Sequence, residues 1–127
     1  MKLLLDTHAF LFALGEPALL TARTRKMLLD PEIERWVSAV SLWEIAIKIQ
    51  TGKLEMPSDW QFYVKGLDDL QARVLPVEAR HSMAIFDMPL HHRDPFDRLL
   101  IAQARADGLT LISRDQAFSA YDVQTMW

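Results

Sequence analysis

Short apolar runs alternate along the chain with longer stretches whose apolar residues recur every three or four positions. Lys2-Leu3-Leu4-Leu5-Asp6 is a run of the first kind, ending in an acid, and predicts a buried parallel strand. Ala9–Leu14 predicts a helix stopped by Gly15-Glu16-Pro17. Thr21–Leu29 predicts a surface helix broken by Asp30-Pro31. A second strand over Glu34–Ser38 leads into a helix over Ser38–Thr51, which Gly52 terminates. A further helix is expected over Ser58–Ala72 with Ser58 as its N-cap, then a strand over Val74–Val77 and a short helix over Glu78–Asp87. The clearest helix signal opens at Asp94-Pro95, runs over Pro95–Asp107 and closes at Gly108. Leu109–Ser113 predicts a fourth strand and Val123–Trp127 an edge strand. Strands separated by helices imply an α/β sandwich with a mainly parallel sheet of about four to five strands. No repeat or linker interrupts the pattern, so a single domain over residues 1–127 is expected.

Composition narrows the chemistry. Half of the 127 residues are apolar and 24% are charged, as in an ordinary globular protein. The absence of cysteine excludes disulfides, cysteine-ligated zinc and thiol catalysis. No apolar run approaches the ~20 residues of a membrane span, and no leader pattern opens the sequence, so a cytoplasmic location is expected. The net charge of −3 looks unfavourable for binding nucleic acid. It ceases to be so if Asp6, Glu44, Asp97 and Asp115 neutralise a bound cation, which leaves 14 basic against 13 acidic groups.

Those four acids are the candidate chemistry. In open parallel sheets ligands gather beyond the carboxyl ends of the strands. Asp6 ends the first predicted strand, and Asp115 follows the fourth by two residues. Either alone is ordinarily a turn residue or helix cap. Asp97 shares a helical stripe with Leu100, Ile101 and Ala104 and so faces the core, although an acid at this position also suits the helix N-terminus. Glu44 interrupts the apolar surface of Val40, Leu42, Trp43, Ile45, Ala46, Ile47 and Ile49. Ser41 and Glu44 match a capping box, and Glu44 can equally pair with Lys48 one turn on. Carboxylates converging in one pocket repel one another, and a hard divalent cation relieves the repulsion. Such a centre suits phosphodiester hydrolysis.

Leu3-Leu4-Leu5-Asp6-Thr7, Ser41-Leu42-Trp43-Glu44-Ile45, the run Asp94-Pro95-Phe96-Asp97-Arg98-Leu99-Leu100-Ile101-Ala102, and Leu111-Ile112-Ser113-Arg114-Asp115 together resemble the PIN-domain ribonucleases, and most closely the VapC-type toxins of type II toxin–antitoxin pairs. The resemblance implies a PIN-like three-layer sandwich and a Mg²⁺- or Mn²⁺-dependent endoribonuclease held in check by a cognate antitoxin. It implies that Asp6, Asp97 and Asp115 bind the metal, with Glu44 acting directly or through a bound water. Thr7, Asp94, Arg98 and Ser113 become supporting or substrate-binding candidates, with Asp94 assigned to capping first. RNA as substrate, products ending in 5′-phosphate and 3′-hydroxyl, and a homodimer are further implications. No departure occurs at the four acidic positions.

Other residues carry weaker signals. Arg98 reads equally as a phosphate contact or as the partner of a structural acid, and His91, His92 and Arg93 read first as a solvated loop. Adjacent histidines diverge, and nothing supplies a third zinc ligand. His8 reads first as structural, and Arg23, Arg25 and Lys26 as solvated charges. Trp43, Trp60, Phe62 and Tyr63 make one region strongly aromatic, and a domain of this size cannot bury all of it, so an apolar groove for a partner is expected. An aspartyl phosphatase would want an acid where His8 stands, and a nucleotide-binding fold a glycine-rich loop after Asp6. The alternative of another class is a PIN-fold RNA- or protein-binding module without catalysis, against which all four acids argue.

Overall fold

In the computed structural model, which describes residues 1–127, the polypeptide forms five strands and six α-helices. The strands are β1 (Lys2–Leu5), β2 (Glu34–Ser38), β3 (Arg73–Leu75), β4 (Thr110–Ile112) and β5 (Thr125–Met126). The helices are α1 (Thr7–Gly15), α2 (Ala22–Leu29), α3 (Ala39–Gln50), α4 (Trp60–Asp69), α5 (Ala79–Ala84) and α6 (Pro95–Asp107). All five strands are parallel, in the order β3-β2-β1-β4-β5. The chain steps outward one way from β1 to β2 and β3, and the other way to β4 and β5. The order therefore reverses between β1 and β4, and a crevice opens there at the carboxyl edge.

Successive β1 residues point to opposite faces, and each face has its own core. Leu3 and Leu5 pack with Phe10 of α1, Leu28 of α2, Ile45 of α3 and Leu67 of α4. Leu4 packs on the other face with Leu100, Ile101 and Ala104 of α6 and with Leu111, Phe118 and Tyr121. Leu3, Leu4 and Leu5 are wholly buried, as expected of a central strand covered on both sides. Two helical layers around a sheet make the three-layer α/β sandwich.

The predicted elements are all present, with differences at their ends. α1 begins at Thr7 because Asp6 caps it, accepting the Ala9 amide at 2.7 Å. α4 starts at Trp60 because Asp59, and not Ser58, supplies the cap to the Gln61 amide. Ser38 caps α3, so Ser41 and Glu44 lie inside that helix and form no capping box. β3 sits one residue early, where Trp36, Val37 and Ser38 provide its partners. The predicted helix over 78–87 divides into α5 and a 3₁₀ turn over Ile85–Asp87. No helix is long and apolar enough to cross a membrane.

Gln103 joins these layers by polar contacts within the core. Its carbonyl accepts the Ser38 hydroxyl at 2.6 Å, and its amide donates to the Pro76 carbonyl at 3.2 Å. Gln103→Leu fills the same space and leaves both partners unsatisfied in a dry interior. A loss of about 2–4 kcal/mol is expected, read as a lower denaturant midpoint with an unchanged slope.

Candidate active site

The crevice between β1 and β4 receives carboxylates from four places, and three of the acids reach it as helix caps. Asp6 caps α1 through Oδ1. Asp94 caps α6 through Oδ1, which accepts the amides of Phe96 (2.8 Å) and Asp97 (3.2 Å). Asp115 caps the 3₁₀ turn over Gln116–Ala120, again through Oδ1, to the Ala117 amide. Each cap occupies one carboxylate oxygen and leaves the other available. Capping and cation binding, alternatives in the sequence, are therefore compatible here. The N-termini of α1 and α6 also present their positive dipole ends to this negative charge.

Asp6 is the most deeply set, at 5% exposed. Burial pushes its carboxyl above the usual range, against the opposing influence of the Ser113 hydroxyl, the Ala9 amide and His8, while Glu44 adds to the rise. Ser113 accepts the Asp115 amide at 3.0 Å, which leaves its own proton free to face Asp6 and ties the ends of β1 and β4 together. Asp6 and Asp115 line one cleft of about 390 Å³ with His8, Arg114 and Gln116, none of them an apolar residue. Arg114 lies over the Phe12 ring at 4.8 Å, which holds its charge at the rim.

Asp97 faces inward from the first turn of α6 with no cap to form. Burial, followed by the negative charge of Asp94, with Glu44 and Asp6 adding, raises its carboxyl to about 7, and His92 pulls the other way. Oδ2 of Asp97 lies 3.0 Å from Nε2 of His92, and Oδ2 of Asp115 lies 3.6 Å from the same nitrogen. One ligand atom from each of His92, Asp97 and Asp115 falls within 4.8 Å of the others. Asp6 stands outside that trio and joins the cluster through Ser113, through the cleft it shares with Asp115, and through its charge on Asp97.

His92, read from the sequence as loop, is thus a member of the site. Its Nδ1 accepts the Asp94 amide at 3.2 Å, which leaves Nε2 to face the carboxylates. That nitrogen is buried without a hydrogen bond of proper geometry despite its closeness to Asp97. In the trio two carboxylates stand with this single ring nitrogen, and Asp6 and Glu44 add further carboxylate nearby. The loop carrying His92 is held by Arg98, whose guanidinium donates to the carbonyls of Met88, Pro89 and His92 and to the Tyr121 hydroxyl. Tyr121 in turn accepts the amides of His91 and His92. Arg98 is buried in these contacts, which fit a loop-holding role better than contact with a phosphate.

Glu44, at 2% exposed, has both oxygens engaged. Oε1 accepts the Thr7 hydroxyl at 2.7 Å, itself 3.0 Å from the Ser41 hydroxyl, and Oε2 pairs with Lys48 at 2.5 Å. Thr7 therefore positions Glu44, while Lys48 brings a positive charge to the acids. At the rim, Trp43 meets Phe96 edge to face at 5.4 Å, so the residues preceding Glu44 and Asp97 pin α3 to α6. A separate apolar cavity of about 400 Å³ lies between α3 and α4, lined by Leu42, Ile45, Ala46, Ile49, Trp60 and Val64 among others.

The raised Asp97 carboxyl has a signed consequence. Its pKa is near 3.8 when unfolded and about 7 when folded, so the folded chain holds the extra proton between those values. Ionising Asp97 thus costs stability that grows as pH rises from about 4 and is complete above about 7. Asp97→Asn removes this cost. Without divalent cations at pH 8 the variant should melt about 5 °C above the natural protein, with the margin vanishing near pH 4. Mg²⁺ should then stabilise the natural protein more than the variant. Melts at both pH values, with and without Mg²⁺, check this, and a variant melting lower at pH 8 without cation would assign Asp97 to a salt bridge.

Comparison with known proteins gives the same architecture. A chain of VapBC2 from Rickettsia felis, bound to a DNA fragment from their promoter, superposes with a TM-score of 0.74 at 14% identity, covering 99% of this chain and 98% of that one. DNA-bound VapBC from Salmonella typhimurium gives 0.69 at 13% identity over 99% and 97%. FitAcB from Neisseria gonorrhoeae gives 0.64 at 19% identity over 100% and 97%. At these identities the likeness is one of fold. No curated protein matches the chain. The model of the PIN domain matches residues 3–124, from the second residue of β1 to the residue before β5, and on that match the chain belongs to the PIN-domain family.

Proposed function

We propose that this protein is a divalent-cation-dependent endoribonuclease of the VapC toxin type, inhibited by a cognate antitoxin. The observation that carries the reading is the gathering of Asp6, Asp97 and Asp115, with Glu44 beside them, at the crevice where the strand order reverses. Carboxylates packed until one is raised to about 7 are a poor way to stabilise a fold and a good way to hold a cation. A donor set dominated by carboxylate oxygen suits Mg²⁺ or Mn²⁺ better than zinc.

Asp6 and Asp115 would hold the cation through the oxygens that capping leaves free, and Asp97, which caps nothing, through its inward-facing carboxylate. When bound, such an ion polarises a phosphodiester and offsets charge building on the leaving oxygen. Glu44, whose oxygens Thr7 and Lys48 engage, would add its negative charge to the ion's surroundings, directly or through a bound water. His92, with Nε2 at 3.0 Å from Asp97 and 3.6 Å from Asp115, would place a polar nitrogen beside those carboxylates. Arg114, on the wall of the cleft beside His8, would supply positive charge for an RNA backbone that Arg98 does not reach.

The partner reading rests on the apolar cavity between α3 and α4. Trp60 and Val64 stay exposed there beside Leu42, Ile45 and Ile49, as suits an amphipathic segment laid into a groove. VapBC, FitAB and a Klebsiella pneumoniae toxin–antitoxin complex, all similar in fold, are themselves two-component assemblies. A homodimer and a cytoplasmic site of action complete the proposal.

Two measurements test it. With Mg²⁺ or Mn²⁺, the purified protein should cleave single-stranded RNA, EDTA should stop it, and Asp6→Asn should lower the rate at least about hundredfold. Equal rates for natural protein and variant would reject the catalytic assignment. Ala46 is exposed on the groove face of α3, so Ala46→Glu puts a charge into the groove without disturbing the core. Co-expressed with the product of the adjacent reading frame, the natural protein should co-purify with it and Ala46→Glu should not.

A further inference from the structure

Lys48 is the basic group that the proposed chemistry leaves without a task. It rises from α3 one turn beyond Glu44, and its ammonium sits 2.5 Å from Oε2 of that buried carboxylate. With Thr7 on Oε1, both oxygens of Glu44 are engaged. The hydrogen bond to Glu44 chiefly, and the charges of Asp94 and Asp97 in addition, hold the ammonium above its ordinary range. Its positive charge is therefore shared among several acids of the cluster.

The same molecule contains a pair for contrast. Lys65 and Asp69 on α4 have the same spacing and lie 2.8 Å apart, with both side chains largely in water. Exposed pairs of that kind contribute little. Glu44 differs because its carboxylate is out of water, and removing its partner would leave a buried charge unpaired. The Lys48 side chain is one-third exposed, so its flexible stem can carry the ammonium into solvent when another cation arrives.

We propose that Lys48 is the built-in counter-ion of the acidic centre, occupying the charge position beside Glu44 that a divalent cation contests. Uptake of the cation and the Lys48–Glu44 ion pair then oppose one another. Without divalent cation the ammonium offsets repulsion among the carboxylates. When the cation enters, the same ammonium repels it, so affinity is held lower than the carboxylates alone would give. The inference rests on the cation-binding reading above, and the test separates the two.

Mn²⁺ is titrated into the natural protein, Lys48→Met, Lys48→Arg and Lys65→Met, followed by calorimetry and by melting temperature. Lys48→Met keeps an apolar stem and removes the charge. It should melt lower than the natural protein without cation and bind Mn²⁺ about three- to tenfold more tightly. Lys48→Arg and Lys65→Met should stay near the natural protein in both measurements. Unchanged or weaker Mn²⁺ binding by folded Lys48→Met overturns the counter-ion role alone. A natural protein that takes up no Mn²⁺ overturns the cation-binding reading with it. If Lys48→Met folds only when Mn²⁺ is present, the role is supported, and a variant unfolded under both conditions overturns it.

Discussion

Mutual repulsion among carboxylates held at one edge of a parallel sheet is the constraint around which this molecule is arranged. The backbone creates the problem by ending β1 and β4 side by side and starting α1, α6 and the 3₁₀ turn over 116–120 from acids. It also supplies part of the solution. Three of the acids accept amides at those starts, and two helix dipoles point their positive ends into the crevice. Ser113 beside Asp6, Thr7 and Lys48 on Glu44, and His92 beside Asp97 supply the remaining compensation.

Rigidity of the surrounding shell follows from the same need. A carboxylate raised to about 7 stays where it is only if its neighbours cannot relax away. The Arg98–Tyr121 contacts hold the 88–92 loop and with it His92, while Trp43 against Phe96 fixes α3 to α6. Deeper in, Gln103 ties the end of β2 and the start of α3 to the middle of α6. Side chains that look like chemistry in a list of residues, Arg98 above all, here hold in place the groups that carry it.

The α3–α4 groove stands apart from this polar machinery and obeys a different rule. A helix carrying Leu42, Ile45, Ala46 and Ile49 on one face, and Glu44 and Lys48 on another, serves two environments at once. One face is best covered by apolar surface and the other by charge, so a single helix links the proposed partner site to the proposed catalytic site. That geometry gives a bound segment a short path from groove to acids.

Much of this was legible in one dimension. Apolar runs and helix periods located every strand and α-helix, because burial on both sides of a parallel sheet leaves an unmistakable pattern in Leu3-Leu4-Leu5 and Leu111-Ile112. The acids were legible too, since Asp97 and Glu44 sit at core-facing positions where a carboxylate needs a reason. What the sequence could not assign was the role of groups whose meaning depends on distance. His92 became a site residue only when its loop folded back over α6, and Arg98 became a loop clamp by the same fold. Ser41 and Glu44 matched a capping box that Ser38, three residues earlier, had already made unnecessary. Local pattern determines which residues are helical, buried or capping because those properties arise within a few residues. Which charges meet is decided by the sheet order, which joins positions a hundred residues apart.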